Sequence, residues 1–168
     1  MSDSNIEDGA TNNELLLSAC RNDQEDMLED IFQQPGSYDI NFQDGAGNTA
    51  LHYACQFGSQ ACVEILLDQE NINLNIQNRL EGDTPLHKAV AFTDDPDVAY
   101  EIVQMLIDAG ADLNILNRNR QSAENVAEDE EVRKLIRKAK MASLVDSRDL
   151  VAEDDDDDDS DDAPSDDE

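Results

Sequence analysis

Two stretches of the chain, GNTALHYA at residues 47–54 and GDTPLHKA at residues 82–89, superpose at a single offset of 35 residues. That offset pairs Thr49 with Thr84, Leu51 with Leu86, His52 with His87 and Ala54 with Ala89. A recurrence of this kind restricts the fold severely. Periods of a few tens of residues mark stacked units, each too small to bury its own apolar face and therefore dependent on its neighbours. Carried backwards by the same offset, Ala54 and Cys55 reach Ala19 and Cys20, inside NELLLSACRND. Carried forwards from Ala89 by 38 residues, the phase reaches Ala127, with Ser122 where the threonines stood. Four units therefore fit between residues 13 and 140.

Within a unit the sequence reads as helix, turn, helix and extended loop. The second unit is the most legible: TALHYACQF, a glycine stop at Gly58, SQACVEILLDQ, then NINLNIQN. Thr49 is placed to cap the first helix, and Pro85 follows Thr84 at a first helical position, where a missing N–H costs nothing. Leu51, Val63, Leu66 and Leu67, like Leu86, Val103, Leu106 and Ile107, recur at helical spacing and supply apolar faces. Ala54 and Ala89 are small where two helices must approach closely. The expected fold class is an all-α repeat solenoid over residues 13–140, with units at about 13–43, 44–78, 79–117 and 118–140. A flexible acidic lead at 1–12 and a linker with a disordered polyacidic tail at 141–168 flank it.

TPLHKA matches in full, and TALHYA in all but the proline, the T-P-L-H-x-A signature that opens the first helix of an ankyrin repeat. The chain resembles that family also in VEILL and VQMLIDAGADLN, which end second helices. The outer units depart from the pattern. Glu14 and Leu17 hold the threonine and histidine positions of the first, and SAEN at 122–125 replaces the motif in the last, as suits repeats that cap a stack. The third unit carries five extra residues, FTDDPDVAYEIV against FGSQACV, and Pro96 with two aspartates predicts a loop between its helices.

His52 and His87 invite a reading as metal ligands or bases, but recurrence in phase with leucine and alanine points to architecture. The resemblance implies that each imidazole bonds the threonine three residues earlier, Thr49 or Thr84, and a neighbouring unit's loop. No third histidine or cysteine is placed to complete a metal site, and no phosphate loop or catalytic set appears. No cofactor and no enzymatic activity are expected. Cys20, Cys55 and Cys62 are too few and too irregularly spaced for a disulfide framework.

The resemblance implies instead a protein-binding role, through variable positions of the first helices and the loop tips. By phase the helix positions are Ser18, Arg21 and Asn22, then Tyr53, Gln56 and Phe57, then Lys88, Ala91 and Phe92. The loop tips are residues 43–46, 78–81 and 117–120, which add Arg79 and Arg118. Tyr53, Phe57 and Phe92 are candidate aromatic anchors, with packing into the stack as the alternative for both phenylalanines. Lys88 and Arg79 are cations on an acidic protein, expected to be simply solvated.

The formal charge is −30, and it is unevenly distributed. Residues 1–132 hold 27 acids and 5 bases, residues 133–151 hold 6 bases and 2 acids, and residues 152–168 hold 12 acids and no base. Such a surface repels nucleic acid and anionic membrane, so the expected partner is a basic protein and the expected state a monomer. The tail, with Asp154, Asp155, Asp156, Asp157, Asp158 and Asp159 in one run, cannot form a core. It either covers a positive surface on the partner or only keeps the protein in solution. Ser165 before DDE fits an acidophilic-kinase pattern. The cations Arg133, Lys134, Arg137, Lys138 and Lys140 complement a helix C-terminal dipole, with a nuclear import signal or a docking place for the tail as alternatives. The polar, acidic start lacks the features of a secretory signal and no run approaches the ~20 apolar residues of a membrane span, so cytoplasm or nucleus is expected. In layout the chain is similar to small acidic fungal ankyrin proteins, among which are escorts of newly made basic ribosomal proteins. That similarity implies a chaperone for a basic nucleic-acid-binding protein, with a general adaptor as the alternative.

Overall fold

The computed structural model describes residues 11–151, with the side chains of residues 11–145. The acidic lead before Thr11, the aspartate run Asp154–Asp159 and Ser165 lie outside the described residues. Eight helices occur among the described residues: α1 (Asn12–Arg21), α2 (Glu25–Phe32), α3 (Ala50–Gln56), α4 (Gln60–Leu67), α5 (Pro85–Val90), α6 (Pro96–Asp108), α7 (Ala123–Val126) and α8 (Glu130–Val151). They pair in order, and the pairs stack. First helices form one layer, in which α3 touches α1 and α5, and α5 touches α7. Second helices form another, with α4 against α2 and α6, and α6 against α8. No strand occurs among the described residues, so the fold is an all-α solenoid.

Close approach of the first helices rests on alanine. Ala19, Ala54 and Ala89 are fully buried and Ala127 nearly so, one per unit at equivalent positions. Between the two layers lie Leu16, Leu28, Leu51, Val63, Leu66, Leu86, Ile102, Val103, Leu106 and Ile136, all shut off from solvent. Burial of a leucine side chain contributes about 2 kcal/mol, and these side chains draw their cover from adjacent units. Cys20, Cys55 and Cys62 are buried and unpaired. Contact with Cys62 and burial push the Cys20 thiol up, and burial alone does so for Cys55, so both are protonated at neutral pH.

Loops between units are stitched through the backbone. Arg79 N–H donates to the carbonyl of Ala46 at 2.9 Å, and Arg118 N–H to that of Glu81 at 2.8 Å. Asn41 bridges to the next loop twice, donating to the Asn71 carbonyl at 2.9 Å and accepting from Asn73 N–H at 2.8 Å. Gly47 allows the approach at Arg79. At φ +85° a Cβ there would stand 2.4 Å from the Arg79 nitrogen.

Three boundaries differ from those read in the sequence. Helix α1 begins at Asn12, a turn before the repeat phase places it, because Thr11 and Glu14 form a complete capping box. The loop expected between the helices of the third unit is present at residues 91–95, against 57–59 in the second unit, but the extra residues go mainly into the helix that follows. Asp95 accepts from Asp97 N–H and Val98 N–H, Pro96 takes the first helical position, and α6 reaches 13 residues where α4 has 8. An Asp-Pro pair is a helix start as readily as a turn, and here the apolar Val98 and Ala99 that follow continue the packed face. Finally, α8 does not stop near residue 140 but runs to Val151.

Candidate protein-interaction surface

The motif residues form a repeated latch. Thr49 N–H donates to Nδ1 of His52 at 3.0 Å, and His52 N–H donates to the Thr49 hydroxyl at 3.3 Å. Because Nδ1 accepts, the proton sits on Nε2, which donates to the carbonyl of Asp83 in the next unit at 2.9 Å. The third unit repeats this, with Thr84 N–H to His87 Nδ1 at 3.1 Å and His87 Nε2 to the Gln121 carbonyl at 2.9 Å. Both ring nitrogens of each histidine are therefore taken by protein atoms, in a fully buried setting. Burial holds the His52 pKa below its usual value despite the carbonyl of Asp83. A second ring proton would also point at the Thr49 N–H. In the last unit Ser122 and Asn125 close the same local box, but asparagine has no second nitrogen to reach onward.

The first helices present a different set of side chains to one face. The Arg21 guanidinium lies 4.5 Å above the ring of Tyr53. The Tyr53 hydroxyl donates to the Asp44 carboxylate, and the Phe57 ring stacks beside Tyr53 at 6.4 Å between centroids. Burial, the largest single influence on Asp44, favours its neutral form. The Tyr53 hydroxyl, the N–H groups of Asn48 and Ala46 and the charge of Arg21 outweigh it and hold the carboxyl low. Three loop and helix elements from two units thus fix one aromatic platform, with Phe57 47% exposed. Gln56, also exposed, adjoins it.

Other candidates are placed differently. Phe92 is half-buried, its ring lying where a Cβ on Gly58 would meet it at 2.5 Å. The position equivalent to Gly58 in the first unit is Asp23, at φ 57°. It carries the Cβ that Gly58 lacks, so Phe57 has no such seat and stays exposed. Lys88 is not a solvated cation. Its side chain is only 13% exposed and lies 2.9 Å from Glu81 and 3.7 Å from Asp83. The hydrogen bond from Lys88, with a second from Asn78, holds the Glu81 pKa down. Nor is Arg79 free, since its guanidinium donates to the carbonyls of Asp44 at 3.2 Å and Gly45 at 3.0 Å. Arg118 is exposed, with its stem against Gly82. Leu80, within the loop tip 78–81, is 69% exposed, and Leu116, just before the tip 117–120 and not foreseen from the sequence, is 46% exposed. Only its position, an apolar residue where the phase demands a turn, could have signalled Leu116.

No helix among the described residues is long and apolar enough to cross a membrane. The family profile described as ankyrin repeats, in three copies, matches residues 15–117. An ankyrin repeat-containing protein of Saccharomyces cerevisiae is 33% identical over 138 residues, covering 77% of this chain and 76% of that protein. The SMC5-SMC6 complex localization factor protein 1 of Bos taurus is 36% identical over 104 residues, which are 62% of this chain but 9% of that one. A putative ankyrin repeat protein of Escherichia coli is 33% identical over 116 residues, 69% of this chain and 56% of its own length. With the latch at both central units and the stacked helix pairs, these matches make the chain a member of the ankyrin-repeat family, a family of protein–protein interaction modules.

Proposed function

We propose that this protein is an acidic escort for a basic protein, of the class of newly made nucleic-acid-binding proteins such as ribosomal proteins. The observation that carries the reading is how its cations are disposed. Arg21 lies on Tyr53, Lys88 on Glu81 and Asp83, Arg79 on loop carbonyls, and Lys140 on Glu124. The carboxylates far outnumber them, so the charge left for a partner is negative. Phe57, Tyr53 and the apolar loop-tip residue Leu80 offer selectivity of shape, while the acidic body shields cationic surface until handover.

A general adaptor with a merely solubilising tail is the second reading, favoured by the platform alone, which needs no tail. The two separate on removal of residues 152–168. The full chain and the chain ending at Val151 are each incubated with a purified basic ribosomal protein and with RNA. An escort loses protection of that protein from aggregation, and loses it faster to RNA, when the tail is gone. An adaptor binds its partner with unchanged affinity.

A further inference from the structure

Helix α8 turns toward solvent a face that no other element among the described residues covers. Lys134, Arg137, Lys138, Met141, Leu144 and Val145 follow at spacings of three, one, three, three and one, which gathers them on one side of a helix, and all six are exposed. The opposite side buries Val132 and Ile136 in the stack. Beside the exposed face a groove of about 410 Å³ runs between α6 and α8, with Tyr100, Ile107 and Leu135 in its walls and Lys134 and Lys138 at its edge. On a chain of formal charge −30, this is the most basic stretch, 6 bases against 2 acids in residues 133–151.

Its charges are loosely held. Lys134 is 3.5 Å from Glu131 in an exposed pair, and Arg137, 56% exposed, meets Glu124 at 2.6 Å. Lys138 has no carboxylate within ion-pair distance among the described residues. Exposed pairs of this kind exchange readily against a denser anion.

We propose that the acidic segment 152–168 of this same chain docks back along this face, with Asp154–Asp159 against Lys134, Arg137 and Lys138. Charge complementarity carries the assignment. The segment holds 12 acids and no base, and residues 1–132 carry a large excess of acids over bases. The lengths also agree. From Val151 back to Lys138 the helix covers about 20 Å at 1.5 Å per residue, and six extended residues cover the same distance at ~3.3 Å each. A reversal after Val151 therefore brings the end of the aspartate run, residues 157–159, level with Lys138, Arg137 and Lys134. Attachment in one chain raises the local concentration of the segment to the millimolar range, which compensates for weak individual pairs. A second copy is a poorer occupant, because two chains of this charge repel. The contact keeps the cations of α8 from recruiting nucleic acid or anionic surfaces, and a cationic partner releases it.

The test uses the full chain with Ser160→Cys carrying a nitroxide, since the three native thiols are buried. Amide signals of residues 134–145 should broaden selectively at about 0.01 M salt and recover at about 1 M, where the screening length falls to ~3 Å. Reversal of the three cations, K134E, R137E and K138E together, should abolish the broadening while leaving the signals of α1–α5 in place. Changing Asp154–Asp159 to asparagine should abolish it without touching the folded body. Selective broadening that is absent at low salt, or that survives either variant, overturns the proposal. So does broadening between a nitroxide-bearing chain and a separate isotope-labelled one, which assigns the face to a second copy. No partner enters the experiment, so its outcome is independent of the escort reading.

Discussion

A histidine with Nδ1 accepting and Nε2 donating fastens two units at once, and the latch has a pH dependence of known sign. His52 is held neutral in the fold, while in the unfolded chain it titrates near 6.5. Below that value the unfolded state binds the extra proton, so the stability the latch contributes is complete above about pH 6.5 and is lost as pH falls toward the depressed folded value. Chemical denaturation of the wild type between pH 7.5 and pH 5 should show this loss. A His52→Asn variant should show less of it, because asparagine closes the Thr49 box as Asn125 does with Ser122 but carries no titrating ring. Without the bond to Asp83 that variant should also be about 1 kcal/mol less stable at pH 7.5. Gly47 has no such tolerance. A Gly47→Ala change meets the Arg79 backbone at 2.4 Å and needs φ +85°, so it should cost about 2–4 kcal/mol in the same assay.

Helix lengths are where the repeat phase and the structure part. The period predicts which residues pair across units, because pairing follows from the alanines and leucines that must meet. It is silent on how far each helix extends, because that depends on caps outside the phase. Thr11 with Glu14 lengthens α1 and Asp95 with Pro96 lengthens α6. Both caps are readable one by one, yet an offset carried over from the second unit passes them by. An Asp95→Ala change should remove two hydrogen bonds to backbone N–H groups and cost about 1 kcal/mol, measured as a shift in denaturation midpoint. Hydrogen exchange in that variant should quicken first at Asp97–Ala99. The candidate surface was legible to the same degree. Phase placed Tyr53 and Phe57 on one face, but not that Phe92 folds over Gly58, nor that Lys88 is absorbed by Glu81 and Asp83, since those depend on neighbours 34 and 5–7 residues away. Leu116 escaped for a like reason: a loop apolar residue declares exposure only once the loop's direction is known.

At the scale of the whole molecule, charge asymmetry is laid over a stack of paired helices. The solenoid supplies a face with an aromatic platform, and in the proposed escort reading the surplus of carboxylates draws cationic protein to it and keeps nucleic acid away. Such attraction between exposed charges acts over ~8 Å at physiological salt and fades as salt rises. A Phe57→Ala variant should keep its stability within about 0.5 kcal/mol, because the ring is half exposed, while binding its partner at least tenfold more weakly in calorimetry. The most direct measurement is affinity purification of the full chain from cell extract at low and at high salt, followed by mass spectrometry. The account predicts recovery of a strongly basic protein at low salt that diminishes at high salt. Recovery of only neutral or acidic partners at both salt concentrations would contradict it.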